Sequence, residues 1–380
     1  MSEFVFILGA GASAHTGAPL MKDFFSTVCD LYEDHLISDE DREAFKLVIE
    51  AKQALERILV KVELQLDNME TLFSLIEMGR LINYFPGNTP VEKLHKAIQK
   101  VIVRTIELKT TCHYRLASAD AYDMLLREIK ALWGQRGLWN SSILTFNYDL
   151  AIDYAVERNA GAIDYCLQEK QDTSPRGFKL LKLHGSFNWA KLRKDDKVEV
   201  IPIPVSSYIN EYCPAPPELE RITTADLPLK KVATTFHIDI GSKINKLKPK
   251  LYKEYDASAF DDFPLIVPPT WSKTEYHTIL RNVGSQAAKE IAGAKYIFII
   301  GYSMPPSDLF FQHLLALGTL NITRIKSFWV VDTSDEIIAR YKKLIRMASE
   351  ETFRELGQAF DHFAVEHIHN YLKIKNLVQG

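Results

Sequence analysis

The chain has 380 residues, and its 46 Lys and Arg side chains nearly balance its 49 Asp and Glu side chains, for a formal net charge of -3. Phosphate backbones and anionic membranes attract proteins with a basic surplus, so direct binding to nucleic acid or to a membrane surface is not expected. A hydrophobic content of 47% with 25% charged residues is typical of globular proteins and excludes a wholly disordered chain.

The beginning of the chain and its cysteines indicate the compartment. Phe4–Ala14 is apolar, but it lacks the basic leader of a signal peptide and is predicted to be a buried strand and turn. Cysteines stand at Cys29, Cys112, Cys166 and Cys213, never with CxxC spacing, so no metal site is predicted. Dispersed thiols suit a reducing cytosol, and no apolar run reaches the roughly 18–20 residues that span a bilayer. We therefore expect a cytoplasmic protein.

Short apolar runs, rich in β-forming residues, recur along the chain. Several are apolar throughout rather than at alternate positions, which is typical of strands covered on both faces. Helical patterns separate many of them, so the sequence predicts a doubly wound, mostly parallel α/β sheet of Rossmann-like type. The runs are Phe4–Leu8, Ser142–Thr145, Ala162–Cys166, Leu180–Leu183, Leu265–Val267, Tyr296–Ile300 and Phe328–Val331.

Two insertions and a tail complete the predicted organisation. Residues 39–137 show helical spacing, and within them Thr89-Pro90-Val91-Glu92 predicts a capping box at a helix start. Residues 191–263 have no clean period and contain five prolines between Pro202 and Pro217, which predicts a loop-rich insertion and a candidate lid. The predicted divisions are 1–38 with 138–334 for the Rossmann-like domain, 39–137 for a helical insertion, 191–263 for the loop-rich insertion and 335–380 for C-terminal helices.

Five of the predicted strands are followed by glycine or by small, polar or titratable residues. Ligands of an open parallel sheet bind at the carboxyl ends of its strands, in the crevice where the strand order reverses. These five segments should therefore converge on one ligand site. They are Gly9–Ala14, Phe146–Asp149, His184–Ser186, Gly301–Ser303 and Asp332–Ser334.

The first of these segments fits the dinucleotide fingerprint G-x-G-x-x-A. Gly9 would permit the tight turn, and Gly11 would let the backbone approach a pyrophosphate. No strand precedes the acidic residues found about 20 positions later, which argues against a standard dehydrogenase. Asp332 is a candidate replacement that could accept hydrogen bonds from a ribose diol; a helix cap is its structural alternative.

His184 has three interpretations from the sequence: a catalytic base, a metal ligand or a structural histidine. The glycine after it admits a ligand, and its position at a predicted strand end favours a base. No other histidine or cysteine lies at ligand spacing nearby, which disfavours a metal. Asn147 and Asp149 follow a neighbouring strand, with a turn-forming asparagine and a helix-capping aspartate as their structural alternatives.

Taken in chain order, these segments match motifs of the sirtuins, and the sequence therefore resembles that family. Leu20-Met21-Lys22 stands where deacetylating sirtuins have Asp-Phe-Arg, and their four-cysteine zinc module is missing, so acyl-lysine removal is not expected. The matching segments are Gly9–Ser13 with Gly17-Ala18-Pro19 for GAGxS…GxP, Thr145–Asp149 for T-x-N-x-D, His184-Gly185 for the catalytic HG, and Gly301-Tyr302-Ser303 for the nucleotide-binding GTS element.

The resemblance is greatest to a bacterial sirtuin-like group that hydrolyses NAD in antiphage defence, which shares Leu183–Ser186, Gly301–Asp308 and Met69–Leu72. It implies an NAD glycohydrolase that takes NAD as its substrate, uses no metal and works with a separately encoded HerA-type ATPase. Since unrestrained hydrolysis would deplete the cell, we also expect a homo-oligomer that a partner activates. The predicted site residues are Asn147 and His184 for catalysis, and Gly9, Ala10, Gly11, Ser13, Asp149, Gly301, Ser303 and Asp332 for NAD binding.

Two other functions stay open from the sequence. An NAD(P)-dependent oxidoreductase would use the same glycine turn but cycle the cofactor between redox states. A non-catalytic sensor would bind NAD or ADP-ribose and leave it intact.

Overall fold

The protein is described here by a computed structural model. The described residues are 1–58, 64–86, 89–113, 120–168, 177–194, 197–212, 235–251, 260–268, 277–305, 308–319, 325–345 and 352–377. The strands are β1 Phe4–Leu8, β2 Cys112–His113, β3 Ser141–Thr145, β4 Ile163–Asp164, β5 Phe178–Lys182, β6 Trp189–Lys194, β7 Lys197–Pro202, β8 Thr235–Phe236, β9 Tyr296–Ile300, β10 Ser327–Val331 and β11 Phe353–Leu356.

Helices flank these strands and fill the segments between them. They are α1 Ala10–Ser13, α2 Phe24–Glu33, α3 Asp39–Ile58, α4 Met69–Leu81, α5 Val91–Lys109, α6 Ala121–Trp139, α7 Ala151–Ala160, α8 Val205–Tyr212, α9 Ile240–Leu251, α10 His277–Gly293, α11 Leu309–Thr319, α12 Asp335–Leu344 and α13 His362–Leu377. Within the described segments, no helix has the length and hydropathy of a bilayer-spanning segment.

The core of the molecule is a seven-stranded sheet in the order β11-β10-β9-β1-β3-β5-β4. Every pairing described in this sheet is parallel. Strands β1, β3, β9 and β10 are buried along their whole lengths; β1 and β9 are apolar throughout, while β3 and β10 also bury serine or threonine side chains. The predicted α/β class with a parallel sheet is therefore confirmed.

Strand order reverses at the centre of this sheet. The chain moves outward from β1 through β3 and returns later to place β9 on the other side of β1. Leu8 pairs with Thr145 on one side and with Ile300 on the other, so the three strands end at the same level. The crevice expected at such a switch point is thus bordered by the loops after β1, β3 and β9.

The insertions contain more regular structure than their sequences suggest. In 191–263, β6 and β7 form an antiparallel hairpin, and α8 and α9 follow; residues 213–234 and 252–259 lie outside the described part. Leu265–Val267 was predicted to be a strand of the sheet but forms an isolated antiparallel bridge, Gly185 to Ile266. Its backbone pairs with the chain just after β5, because Val267 N–H donates to His184 O.

The helical region and the tail each depart from the prediction in one detail. Helix α5 begins at Val91, with Pro90 at its N-cap and no side-chain cap, so the predicted capping box at Thr89 does not form. The carbonyl of Pro90 already accepts the first helical N–H groups, from Lys93 and Leu94. The tail, predicted to be helical, also supplies edge strand β11, which pairs with β10.

Candidate active site

The glycine turn after β1 packs directly on the loop after β9. Gly9 N–H donates to Ile300 O at 3.0 Å, and Gly11 N–H donates to Gly301 O at 2.9 Å. A Cβ on Gly9 would lie 2.5 Å from Tyr302 Cα, so only glycine allows the two backbones to approach this closely. Because both N–H groups are already donated, a pyrophosphate could receive them only after this loop has shifted.

Asn147 binds the same turn from the β3 side. Its Nδ2 donates to Gly9 O at 2.8 Å and to Ser13 Oγ at 2.9 Å, and the residue is 7% exposed. Both amide hydrogens are therefore used within the protein. The group that remains for a ligand is the carbonyl oxygen, which is an acceptor.

Ser13 is the centre of a buried polar network beneath the turn. Its hydroxyl donates to Asp149 Oδ2 at 2.9 Å and lies 2.8 Å from the Tyr122 hydroxyl. Asp149 Oδ1 accepts the Ala151 N–H at the start of α7, as a capping aspartate would. Burial raises the pKa of Asp149, while Lys182 acts against this shift. The structure thus places Asp149 under the turn, where it anchors Ser13.

His184 lies two residues beyond β5, against the loop after β3. Its ring centroid is 5.1 Å from that of Phe146 and 6.3 Å from that of Tyr148, the two neighbours of Asn147. The residue is only 3% exposed. His184 Nε2 is 3.7 Å from Asp308 Oδ2, which pairs a titratable ring with a carboxylate at the site.

Asp308 and Glu70 are the site residues for which the sequence predicted no role. Asp308 Oδ2 accepts the Tyr302 hydroxyl at 2.5 Å, and its Oδ1 accepts the Phe311 N–H at 3.1 Å. Burial, with the Asp308 carboxylate nearby, raises the pKa of Glu70 on α4 to about 7. Both residues belong to motifs of the resemblance, Gly301–Asp308 and Met69–Leu72, and this was the only signal that could have identified them.

Asp332 and Ser303 lie farther along the same edge of the sheet. Asp332 Oδ1 accepts the Ser334 N–H at 2.9 Å, so Ser334 rather than Asp332 is the N-cap of α12. Burial raises the pKa of Asp332. Ser303 is exposed, and its carbonyl accepts a hydrogen bond from Arg340 at 2.8 Å.

The arrangement brings together most of the predicted residues. Gly9, Gly11, Ser13, Asn147 and Asp149 form one bonded unit, with Gly301 packed on it, and His184 lies beside the same loop. Ala10 is partly exposed at the start of α1. Asp332 and Ser303 lie on adjoining loops of this edge. No group of three or more His, Cys, Asp or Glu side chains placed to hold a metal ion occurs in the described part of the chain.

Chemically, the site offers an amide oxygen and an imidazole backed by a carboxylate. Aromatic rings separate it from the rest of the core, since Phe146 stacks on Tyr302 at 4.0 Å and Phe311 meets both rings edge-on. Such a site can accept a proton and orient hydroxyl groups.

No model of a known protein family matches the chain, and no curated protein matches it in sequence. Three solved structures are similar to it at 11% identity: Sir2Tm bound to a propionylated peptide, SIR2 with the inhibitor EX-527, 2'-O-acetyl-ADP-ribose and a deacetylated p53 peptide, and one on the structural basis of sirtuin substrate affinity. They cover 97%, 97% and 96% of this chain and 92%, 93% and 92% of their own, with TM-scores of 0.35, 0.36 and 0.35. Likeness of this degree assigns no activity.

Proposed function

We propose that the protein is an NAD glycohydrolase, which cleaves NAD to nicotinamide and ADP-ribose. The observation that carries the proposal is the hydrogen bonding of Asn147 to Gly9 and Ser13 at the switch point of the sheet, with His184 against the neighbouring Phe146. These are the residues on which the sirtuin resemblance depends, and they lie where parallel α/β sheets bind ligands.

The chemistry of the reaction suits these side chains. The nicotinamide–ribose bond breaks through an oxocarbenium-like state, so the enzyme needs no strong nucleophile. His184 would accept a proton from a ribose hydroxyl or from the attacking water, because imidazole exchanges protons near neutral pH. The Asn147 oxygen would accept a hydrogen bond from the same hydroxyl or water and orient it.

The remaining predicted residues suit the adenosine half of a dinucleotide. A carboxylate can accept about four hydrogen bonds. The local turn bonds from Thr333 and Ser334 therefore leave Asp332 capacity for a ribose diol. Exposed Ser303 would line the same side, and the Gly9–Ser13 turn would bind the pyrophosphate after the loop at Gly301 shifts.

The biological role belongs to the same proposal. By its sequence resemblance, the protein would be a cytoplasmic effector of antiphage defence that depletes NAD under the control of a HerA-type ATPase. Because its activity would be toxic, we also infer a homo-oligomer with low activity at rest.

The proposal is tested by the products formed from NAD. We expect the parental protein, with its candidate partner, to release nicotinamide. His184→Ala should remain folded and lose about 10²–10⁴-fold of that rate, which is the usual worth of general-base help. Asn147→Ala should remain folded and also be nearly inactive, because the hydroxyl or water is no longer oriented. The exposed His313→Ala is the matched control. If both site variants released nicotinamide at the parental rate, the assignment of His184 and Asn147 to catalysis would be wrong. Formation of reduced cofactor without free nicotinamide would favour an oxidoreductase.

A further inference from the structure

The Asp308 carboxylate makes more contacts than the capping of a helix requires. A capping aspartate needs one oxygen for a backbone N–H, and Asp308 Oδ1 fulfils this at Phe311 N. Its second oxygen accepts the Tyr302 hydroxyl at 2.5 Å and lies 3.7 Å from His184 Nε2. With 1% exposure and two bonds of fixed direction, the carboxylate has little freedom to turn away from the imidazole.

We propose that Asp308 is a positioning residue for His184, held by Tyr302 so that its carboxylate orients the imidazole and stabilises the imidazolium formed on proton uptake. The inference deepens the proposed function and rests on it. At 3.7 Å the pair is beyond hydrogen-bond distance. Catalytic hydrogen bonds are often long before substrate binds and shorten in the complex. A carboxylate behind a catalytic histidine fixes its orientation in the same way in other hydrolases.

Other titratable groups also face this pair. The Asp308 carboxylate acts electrostatically on Glu70 of α4, on Tyr148 of the loop after β3 and on Tyr341 of α12. Of these, only Glu70 has a pKa near neutrality, at about 7. A pH profile therefore has to be recorded in the parental protein and also in Glu70→Gln, so that a change at His184 is not confused with titration of Glu70.

The central variant is Asp308→Asn, which removes the charge; its Oδ1 still accepts the Phe311 N–H, and its amide nitrogen can donate to the Tyr302 hydroxyl oxygen instead of accepting from it. We expect kcat for nicotinamide release to fall at least about 10-fold with little change in KM. The acid limb of the pH–rate profile should move to lower pH, because the imidazolium loses its counter-charge. Asp361→Asn, the same change at an aspartate that accepts the Ala364 N–H at the start of α13, is the matched control and should change neither quantity.

A second measurement does not depend on catalysis. In protein labelled at histidine, the pH at which the His184 ring signals titrate should be lower in Asp308→Asn than in the parent. An unchanged titration and an unchanged pH profile would overturn the inference, even if the parent releases nicotinamide. A parental protein that releases no nicotinamide would refute the proposed function. The His184 ring signals would still show whether the Asp308 carboxylate interacts with the imidazole. If Asp308→Asn failed to fold, the His184 ring titration would be measured in Tyr302→Phe, where a changed midpoint is expected and an unchanged one would overturn the inference.

Discussion

The contact between the glycine turn and the loop after β9 leaves no room for a side chain at position 301. Gly301 has a φ of +57°, and a Cβ there would lie 2.3 Å from Ala12 N. Gly301→Ala would combine left-handed strain with a backbone clash, so we expect the free energy of unfolding to fall by about 2–4 kcal/mol. Urea denaturation of Gly301→Ala and of the parental protein measures this difference in the free energy of unfolding. Gly357→Ala, which would meet nothing within 4 Å, is the control, and equal losses in both would contradict the packing argument.

Glu70 makes stability depend on pH in a defined direction. Its pKa rises from 4.5 to about 7 on folding, mainly through burial, so the folded state holds this proton more tightly than the unfolded state. The resulting stability is fully present below pH 4.5 and is lost as the pH rises through 7. Glu70→Gln mimics the protonated form and should be more stable than the parent at pH 8 by about 2 kcal/mol, a value reduced for its partial solvent contact.

Urea denaturation of the two proteins at pH 4.5 and pH 8 tests this expectation for Glu70. The difference between them should be small at the lower pH and grow toward the higher one. The exposed Glu92→Gln, on α5, serves as the matched control. A constant difference at both pH values would show that Glu70 is not the group responsible.

At the scale of elements, β5 and α7 are joined by a buried ion pair below the site. Lys182 Nζ donates to Asp153 Oδ2 at 2.8 Å, both side chains are fully buried, and the same amine donates to Asp149 O at 2.6 Å. Removing one member of such a pair costs about 3–5 kcal/mol, because the other charge stays buried without compensation. Lys182→Met should show this loss in urea denaturation, and Lys182→Met with Asp153→Leu should recover most of it. No recovery would contradict a pairwise interaction.

The elements that the sequence predicted best are those whose structure depends mainly on the burial of apolar side chains. Strands β1 and β9 are apolar at every position, and burial on both faces follows directly. The hairpin β6–β7 was not recognised, although Lys197–Pro202 alternates polar and apolar residues as a half-buried strand does. Edge strand β11 was missed because Phe353–Leu356 is short and only partly buried, so its pairing with β10 depends on tertiary context.

The site could be predicted only in part, for a related reason. Residues at strand ends, such as Asn147 and His184, follow from the strands themselves. Glu70 and Tyr122 come from the helical region, and their distance from the sheet in sequence conceals their proximity in the structure. The hydrogen bonds that use both Asn147 amide hydrogens depend on the exact packing of the turn. The sequence therefore predicted that the side chains at the strand ends would lie close together, while the residues that the helical region adds, and the division into donors and acceptors, required coordinates.

In the whole molecule, the helical region is bonded to the glycine turn. Thr111, just after α5, donates its N–H and its hydroxyl to Thr16 O at 2.8 and 3.0 Å, and Thr16 directly precedes Gly17. Gly17, with a φ of +88°, allows the close approach, since a Cβ there would lie 2.6 Å from Lys109 O. A displacement of α5 would therefore act on the turn that Asn147 holds.

This connection gives the proposed regulation a physical route. His184 and Asn147 are almost fully buried, so a substrate could reach them only after part of the structure that covers them has moved. Contacts of the helical region with other subunits or with an ATPase could supply the free energy for that movement.

We therefore expect the isolated chain to be an oligomer that releases nicotinamide slowly, with a rate that increases when the partner is added. Light scattering and product analysis on the same samples, over a range of protein concentrations, test both parts. A monomer with full activity and no response to the partner would contradict them, and Thr111→Val should weaken the response if the turn transmits it.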